Sequence, residues 1–287
     1  MESEPLVAPE SSVNTPYFVN QGVDVFDSGV PSRVVSKIVL RFFWSWTAFW
    51  WLGVGVCAAL FYTGTMDFPT STKTALYGMS IWLNGWLLVL LLPKQGGKLQ
   101  LYHDCLVVWM LTYLLTNLLW EIPWVVCSRL VFHDMHTEAD IVAKTSFMRE
   151  SISHMYLWIL ASFGSVDLRT VNHNSTFFTL ELYSFVNVAT TIYFLHLNKK
   201  RSPWRYLVPI IGAGEPAAST FIFSFSEVFN GFQNMAGGVA DTLLALVWTQ
   251  YQYLVFPLVF GALGTTLFLA DWRHVRFDPG RSDGLDL

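Results

Sequence analysis

Three glutamates stand inside stretches that are otherwise almost wholly apolar. Glu121 lies in NLLWEIPWVV (residues 117–126), Glu181 in TFFTLELYSF (176–185) and Glu215 in IIGAGEPAAS (210–219). A charge inside hydrocarbon costs about 3 kcal/mol or more, so intramembrane acids tend to line cavities and pathways. Carboxyl groups placed this way suit acid–base work: dry surroundings can keep one neutral as a donor beside a second, ionised acceptor. They also suit a cation, either a bound ammonium or a transient carbocation. Asn117, one turn before Glu121, shares its face on a helix and is placed to orient it by hydrogen bonding. Gln250-Tyr251-Gln252-Tyr253 adds a polar-aromatic cluster. Trp120, Trp124, Tyr183, Phe185 and Trp248 add aromatic faces, which stabilise cations.

These residues need helices to hold them. The chain has 287 residues, 53% hydrophobic and 13% charged, against roughly 25% charged in soluble domains. Six apolar runs, at about 38–62, 75–92, 105–127, 174–197, 206–224 and 243–270, are each long enough to cross ~30 Å of hydrocarbon. They predict an all-α, polytopic membrane helical bundle of about six spans. The more polar 147–163 reads as an interfacial or packed helix. Residues 1–36 are acidic and rich in Pro, Ser and Val, and lack the basic and apolar regions of a cleaved signal. They read as a mostly disordered tail ahead of a membrane domain over 37–275, with 276–287 as a second tail.

Basic residues set an expected orientation. Arg33, Lys37, Arg41, Lys94, Lys98, Lys199, Lys200, Arg201, Arg205, Arg273, Arg276 and Arg281, 12 of the 17 Lys and Arg, fall on one side of the six runs. That predicts both termini in the cytosol and the loop 128–173 in the lumen or exterior. With this topology Glu121, Glu181 and Glu215 come to one depth, ~9–14 Å inside the luminal edge at 1.5 Å per residue. The 250–253 cluster reaches the same depth from the last span.

Other groups carry less. His133, Asp134, His136, Glu138 and Asp140 (HDMHTEAD) read as a solvated loop, and no metal site is expected. His103-Asp104 reads as a cap pair at the start of the third span. Asp167 and Arg169 end the luminal segment and are candidates for a lid. Asn174-Ser-Thr is a glycosylation sequon too close to the membrane for efficient transfer. Cys57, Cys105 and Cys127 read as buried thiols. No Walker loop, GxSxG elbow, HExxH or dinucleotide fingerprint is present, and a net charge of −4 gives no reason to expect nucleic-acid binding.

From the third span onward the chain resembles the emopamil-binding protein family, the EXPERA-domain membrane proteins that include sterol Δ8–Δ7 isomerase. The stretches NLLWEIPW, FGSVDLRTV, NSTFFTLELYSFVNVAT, SEVFNGFQ and YQYLVFPLVFG carry the resemblance, in family order, over roughly residues 105–275. It implies an EXPERA-like core of five helices within 75–275, plus an extra N-terminal helix. It implies catalytic acids at Glu121 and Glu181 and a sterol pocket lined by the last span. Where the family's isomerases carry histidine one turn before the first glutamate, this chain has Asn117. Where they carry Asn and Trp on the last helix, it has Gln250 and Tyr253, and Glu215 is an additional acid. Asn117-Leu-Leu-Trp120-Glu121 is also similar to the acid motif of fungal membrane-bound meroterpenoid terpene cyclases.

Together these readings lead to an expected terpene cyclase of the endoplasmic reticulum membrane, working without metal or organic cofactor on a hydrophobic terpenoid or sterol. Glu121 would donate the proton, and Glu181 would stabilise the cation or take the final proton. Glu215 would be a third acid, with Trp120, Trp124, Tyr183, Gln250 and Tyr253 around the substrate. A sterol isomerase and a non-catalytic sterol- or lipid-binding protein are the alternatives. The bilayer is the expected surrounding, and a homodimer is compatible with the sequence, which does not fix oligomeric state.

Overall fold

The computed structural model describes residues 26–28, 33–93, 96–131, 135, 137–151, 154–172, 174–273 and 275–277. The helices are, in order, α1 (Lys37–Tyr62), α2 (Phe68–Leu83), α3 (Gly85–Leu88), α4 (Lys98–Thr116), α5 (Ile122–Val131), α6 (Glu138–Lys144) and α7 (Met155–Ala161). They continue with α8 (Ser175–Glu181), α9 (Tyr183–Lys199), α10 (Leu207–Gly212), α11 (Gly214–Phe229), α12 (Val239–Thr242) and α13 (Tyr251–Trp272). Five helical stretches, 37–62, 98–127, 175–199, 203–229 and 239–272, are long and apolar enough to cross a membrane. The pair α2–α3, bent by 42° with the turn that follows it, makes a sixth if it counts as one span. The protein is thus an all-α, multi-pass membrane protein.

Local chemistry sets the helix starts. Asp67 Oδ1 accepts from the Thr70 amide at 2.7 Å to cap α2, with Pro69 in its first turn. Asn174 Oδ1 accepts from Phe177 at 2.9 Å to cap α8, so the sequon asparagine is a helix cap. Large apolar side chains such as Phe49, Leu52, Ile211, Phe221 and Leu258 remain exposed on the outside, as lipid-facing positions of a membrane bundle do.

Two ends can be distinguished. The loop end carries 63–67, 230–238 and the described residues of 128–174; the basic end carries the turns near residues 97 and 201 and the strands 26–28 and 275–277. At the basic end, Asp271 pairs with Arg33 and with Arg205, the latter at 3.1 Å, all three buried. Residues 26–28 pair antiparallel with 275–277. Of the two expected tails, 1–36 and 276–287, only residues 26–28, 33–36 and 276–277 are among the described residues. His103-Asp104 is no cap, since α4 begins five residues earlier at Lys98 with Gly97 as its cap. Instead Asp104 accepts from the Ser36 amide and Gln100, while His103 Nδ1 meets the Tyr206 hydroxyl at 3.0 Å.

The interior has two apolar clusters. One, toward the loop end, centres on Phe61, Trp124, Trp158, Phe177 and Phe223. The other, toward the basic end, centres on Trp86, Trp109, Phe194, Phe256 and Phe260. As expected, 147–163 forms short packed helices rather than a span: a 3₁₀ turn (Thr145–Glu150), α7, and a second 3₁₀ turn (Ser162–Ser165).

Candidate functional site

Five of the helical stretches depart from regular geometry, and each does so next to a polar residue of one shared cavity. In the 98–127 stretch, Pro123 has no N–H to offer the Leu119 carbonyl and would crowd it. Residues Asn117–Glu121 relax into a π turn, with the Ile122 amide bonding back five residues to Asn117. Single π turns inside α-helices frequently mark functional sites. Glu121 closes this one.

Glu181 ends α8 at a break. The Phe185 amide bonds to Leu182 rather than to Glu181, whose carbonyl is taken by the Ser184 hydroxyl at 2.5 Å. Glu215 follows the break between α10 and α11, where Pro216 removes the donor that Gly212 would otherwise receive. The last stretch has a π turn at Leu243–Trp248, with the Thr249 amide reaching back to Leu244 at 3.0 Å. At the α2–α3 bend the Ser80 carbonyl accepts from Asn84 and Gln252, and the Asn84 amide oxygen accepts from Tyr251. Freed backbone groups at membrane depth are thus re-satisfied by side chains, as hydrocarbon requires.

The breaks border a cavity of about 140 Å³, counted as space open to the centre of a water-sized sphere. One water needs about 10–15 Å³ on that measure, so the space suits a ligand rather than a single water. Glu121, Glu181 and Glu215 all line it, from three different spans. Trp120, Gln250 and Tyr253 line it too. Sequence reasoning did not single out Tyr113, Thr116, Ser184, Asn187 or Ser219, which are also on the wall. Tyr113 and Tyr253 lie with ring centres 6.3 Å apart, and Asn187 and Ser219 sit beside the Glu215 carboxyl. Helical spacing could have found Thr116, Ser184 and Ser219, each within five residues of a buried acid.

Among the described residues, no lysine, arginine or histidine lines it. Like charges across a low-dielectric gap repel strongly. Three carboxyl groups with no basic partner therefore call for bound protons or a bound cation.

Three expected site residues fall elsewhere. Asn117 is fully buried and off the cavity wall, and its amide donates back to the Tyr113 carbonyl at 2.8 Å instead of to Glu121. The π turn explains this, because the expected pairing assumed regular α spacing from 117 to 121. Trp124 stands behind Trp120, the rings 6.3 Å apart and nearly parallel, and its indole donates to the Thr170 carbonyl. It supports the wall without lining the cavity. Tyr183 is 46% exposed and points outward, because two residues beyond Glu181 it falls on the opposite face of the helix.

Residues 158–163 close the loop end of the cavity with Trp158, Ile159, Ser162 and Phe163. Asp167 and Arg169, expected as a lid, are instead buried beside this segment and fasten it. The Arg169 guanidinium bonds both Asp167 oxygens, the Phe223 carbonyl at 2.7 Å and the Ser226 hydroxyl at 3.0 Å, with Glu227 at 3.5 Å. Glu227 in turn accepts from the Asn234 amide and side chain. Of the HDMHTEAD cluster, His133, Asp134 and His136 lie outside the described residues.

The chain matches no protein-family model, no curated protein and no solved structure.

Proposed function

We propose that the chain is an intramembrane terpene cyclase that rearranges an apolar terpenoid through a carbocation. One observation supports this above all: carboxyl groups from three spans meet in one aromatic-walled cavity that no basic residue among the described residues lines. Glu121 gives its proton to an alkene carbon or an epoxide oxygen of the substrate. The alkene pair forms the new C–H bond, or the epoxide C–O bond opens to a hydroxyl, and a carbocation remains. A second alkene of the same chain supplies the electron pair that closes a ring. Glu181 or Glu215, as carboxylate, removes a neighbouring proton, and that C–H pair becomes a C=C bond. Product and substrate have the same composition, and one proton returned to Glu121 resets the site. Trp120, Tyr113 and Tyr253 present the ring faces that stabilise the passing charge. The membrane of the endoplasmic reticulum is the proposed location.

The test is incubation of the chain in proteoliposomes with an epoxidised prenyl phenol and, separately, a Δ8 sterol, followed by mass spectrometry. A cyclised product isobaric with the epoxide is expected, and Glu121→Gln should slow it about 10²–10⁴-fold, the scale of a positioned general acid. Conversion of the sterol alone would make the enzyme a sterol isomerase. Binding without conversion of either would make it a lipid-binding protein. Turnover unaffected by Glu121→Gln would remove Glu121 from the chemistry.

A further inference from the structure

The Leu119 carbonyl is the group that Pro123 deprives of its helical partner, and it does not go unpaired. The Tyr156 hydroxyl donates to it at 2.5 Å from the first turn of α7, 37 residues away in sequence. Leu119 lies within the π turn that ends at Glu121. Two residues further along α7, Trp158 lines the cavity and donates to Ser71 Oγ on α2 at 3.2 Å, followed on the wall by Ile159. One short helix therefore closes the cavity and grips the turn that carries the acid.

We propose that Tyr156 is a positioning residue, fixing through the Leu119 carbonyl the direction in which Glu121 enters the cavity, so that closure of the cavity and aim of the acid are set by one contact. The proposal rests on the reading of Glu121 as the reactive acid. It also explains the sequence WEIPW: the proline creates the vacancy that the tyrosine fills. A regular helix would satisfy Leu119 internally and leave α7 without a polar hold on this turn.

The experiment uses the full chain in lipid nanodiscs with Tyr156→Phe, Pro123→Ala and the double variant. Dicyclohexylcarbodiimide, an apolar reagent for buried carboxylic acids, is reacted with each, and labelling at Glu121 is followed by mass spectrometry with Glu181 as internal reference. Tyr156→Phe should change the Glu121 labelling rate by about fivefold, the scale of one hydrogen bond, while Glu181 stays within about twofold. In the Pro123→Ala background, the restored amide at position 123 serves Leu119, and Tyr156→Phe should then change Glu121 labelling less than about twofold. Equal changes at both acids, no change at Glu121, or an undiminished effect in the Pro123→Ala background would overturn the proposal. Should Tyr156→Phe fail to fold, recovery of folding by Pro123→Ala supports it and continued failure overturns it. Where turnover is measurable, Tyr156→Phe should lower kcat and shift its pH profile while KM stays nearly constant. Labelling needs no substrate. A wild type that turns nothing over yet shows the expected labelling pattern would therefore lose the cyclase reading and keep the positioning role.

Discussion

Arg169→Met tests what holds the loop end of the cavity shut. Arg169 is 3% exposed, and its main partners Asp167 and Glu227 are 0% and 1% exposed. Removing it deletes the bonds to both Asp167 oxygens, to the Phe223 carbonyl and to Ser226, and the stacking of the guanidinium 3.9 Å from the Phe223 ring centre. Two carboxyl groups are left beside each other without their cation. Breaking a buried pair from one side costs about 3–5 kcal/mol, a large part of a typical 5–15 kcal/mol total. At roughly 2–4 °C per kcal/mol for a chain of this size class, the melting temperature should fall by on the order of 10 °C. The penalty also carries a pH signature. Burial pushes the Asp167 carboxyl above the ordinary aspartate value, against the opposing pull of Arg169. A raised folded value means that Asp167's own contribution is fully present below the unfolded value, 3.8, and is lost as pH rises through the folded one. Without Arg169 the folded value rises further, so the variant should be least handicapped in mild acid and most handicapped near pH 8. The assay is thermal unfolding in nanodiscs across that range. The triple variant Arg169→Met, Asp167→Asn, Glu227→Gln removes all three charges and should recover most of the loss. A single variant that melts within about 2 °C of wild type, or a triple variant no better than the single, would refute the reasoning. Because Phe223 lines the cavity, the single variant should also weaken ligand retention.

Two further predictions concern the frame of the site. A Cβ on Gly261 would stand 2.9 Å from the Ala213 Cβ, so Gly261→Val should push α13 off the break that precedes Glu215. The expected cost is about 1–3 kcal/mol, read as a lowered melting temperature. At the loop end, the Thr70 hydrogen bonds hold the Asp67 carboxyl below its usual range. Its contribution is therefore present above the unfolded value and is lost as pH falls through the folded one. Asp67→Asn keeps a cap without the titration and should flatten the acid limb of the stability profile; an unchanged limb would contradict this.

The spans were readable because hydrocarbon imposes one long apolar run per helix, and the six runs fall on the helices found. The acids were readable for the complementary reason, that a carboxyl in such a run has few places to go. What sequence periodicity missed depends on departures from 3.6 residues per turn. Asn117 was assigned to the face of Glu121 by regular spacing, and the π turn forced by Pro123 sends its amide to Tyr113 instead. Tyr183 was placed at the acids by its depth, but two residues from Glu181 it takes the opposite face of the helix. Tyr113, two turns before Glu121, reads as ordinary packing until the three-dimensional wall is assembled. Tyr156 was invisible because its partner is a backbone carbonyl, which no side-chain pattern announces.

The antiparallel pairing of residues 26–28 with 275–277 bears on the number of passages. The first strand precedes α1 and the second follows α13, and hydrogen bonding between them brings residues 26–28 and 275–277 together. A polypeptide that leaves a bilayer on the side where it entered has traversed it an even number of times. Six passages, with the bent pair α2–α3 as one of them, meet that condition.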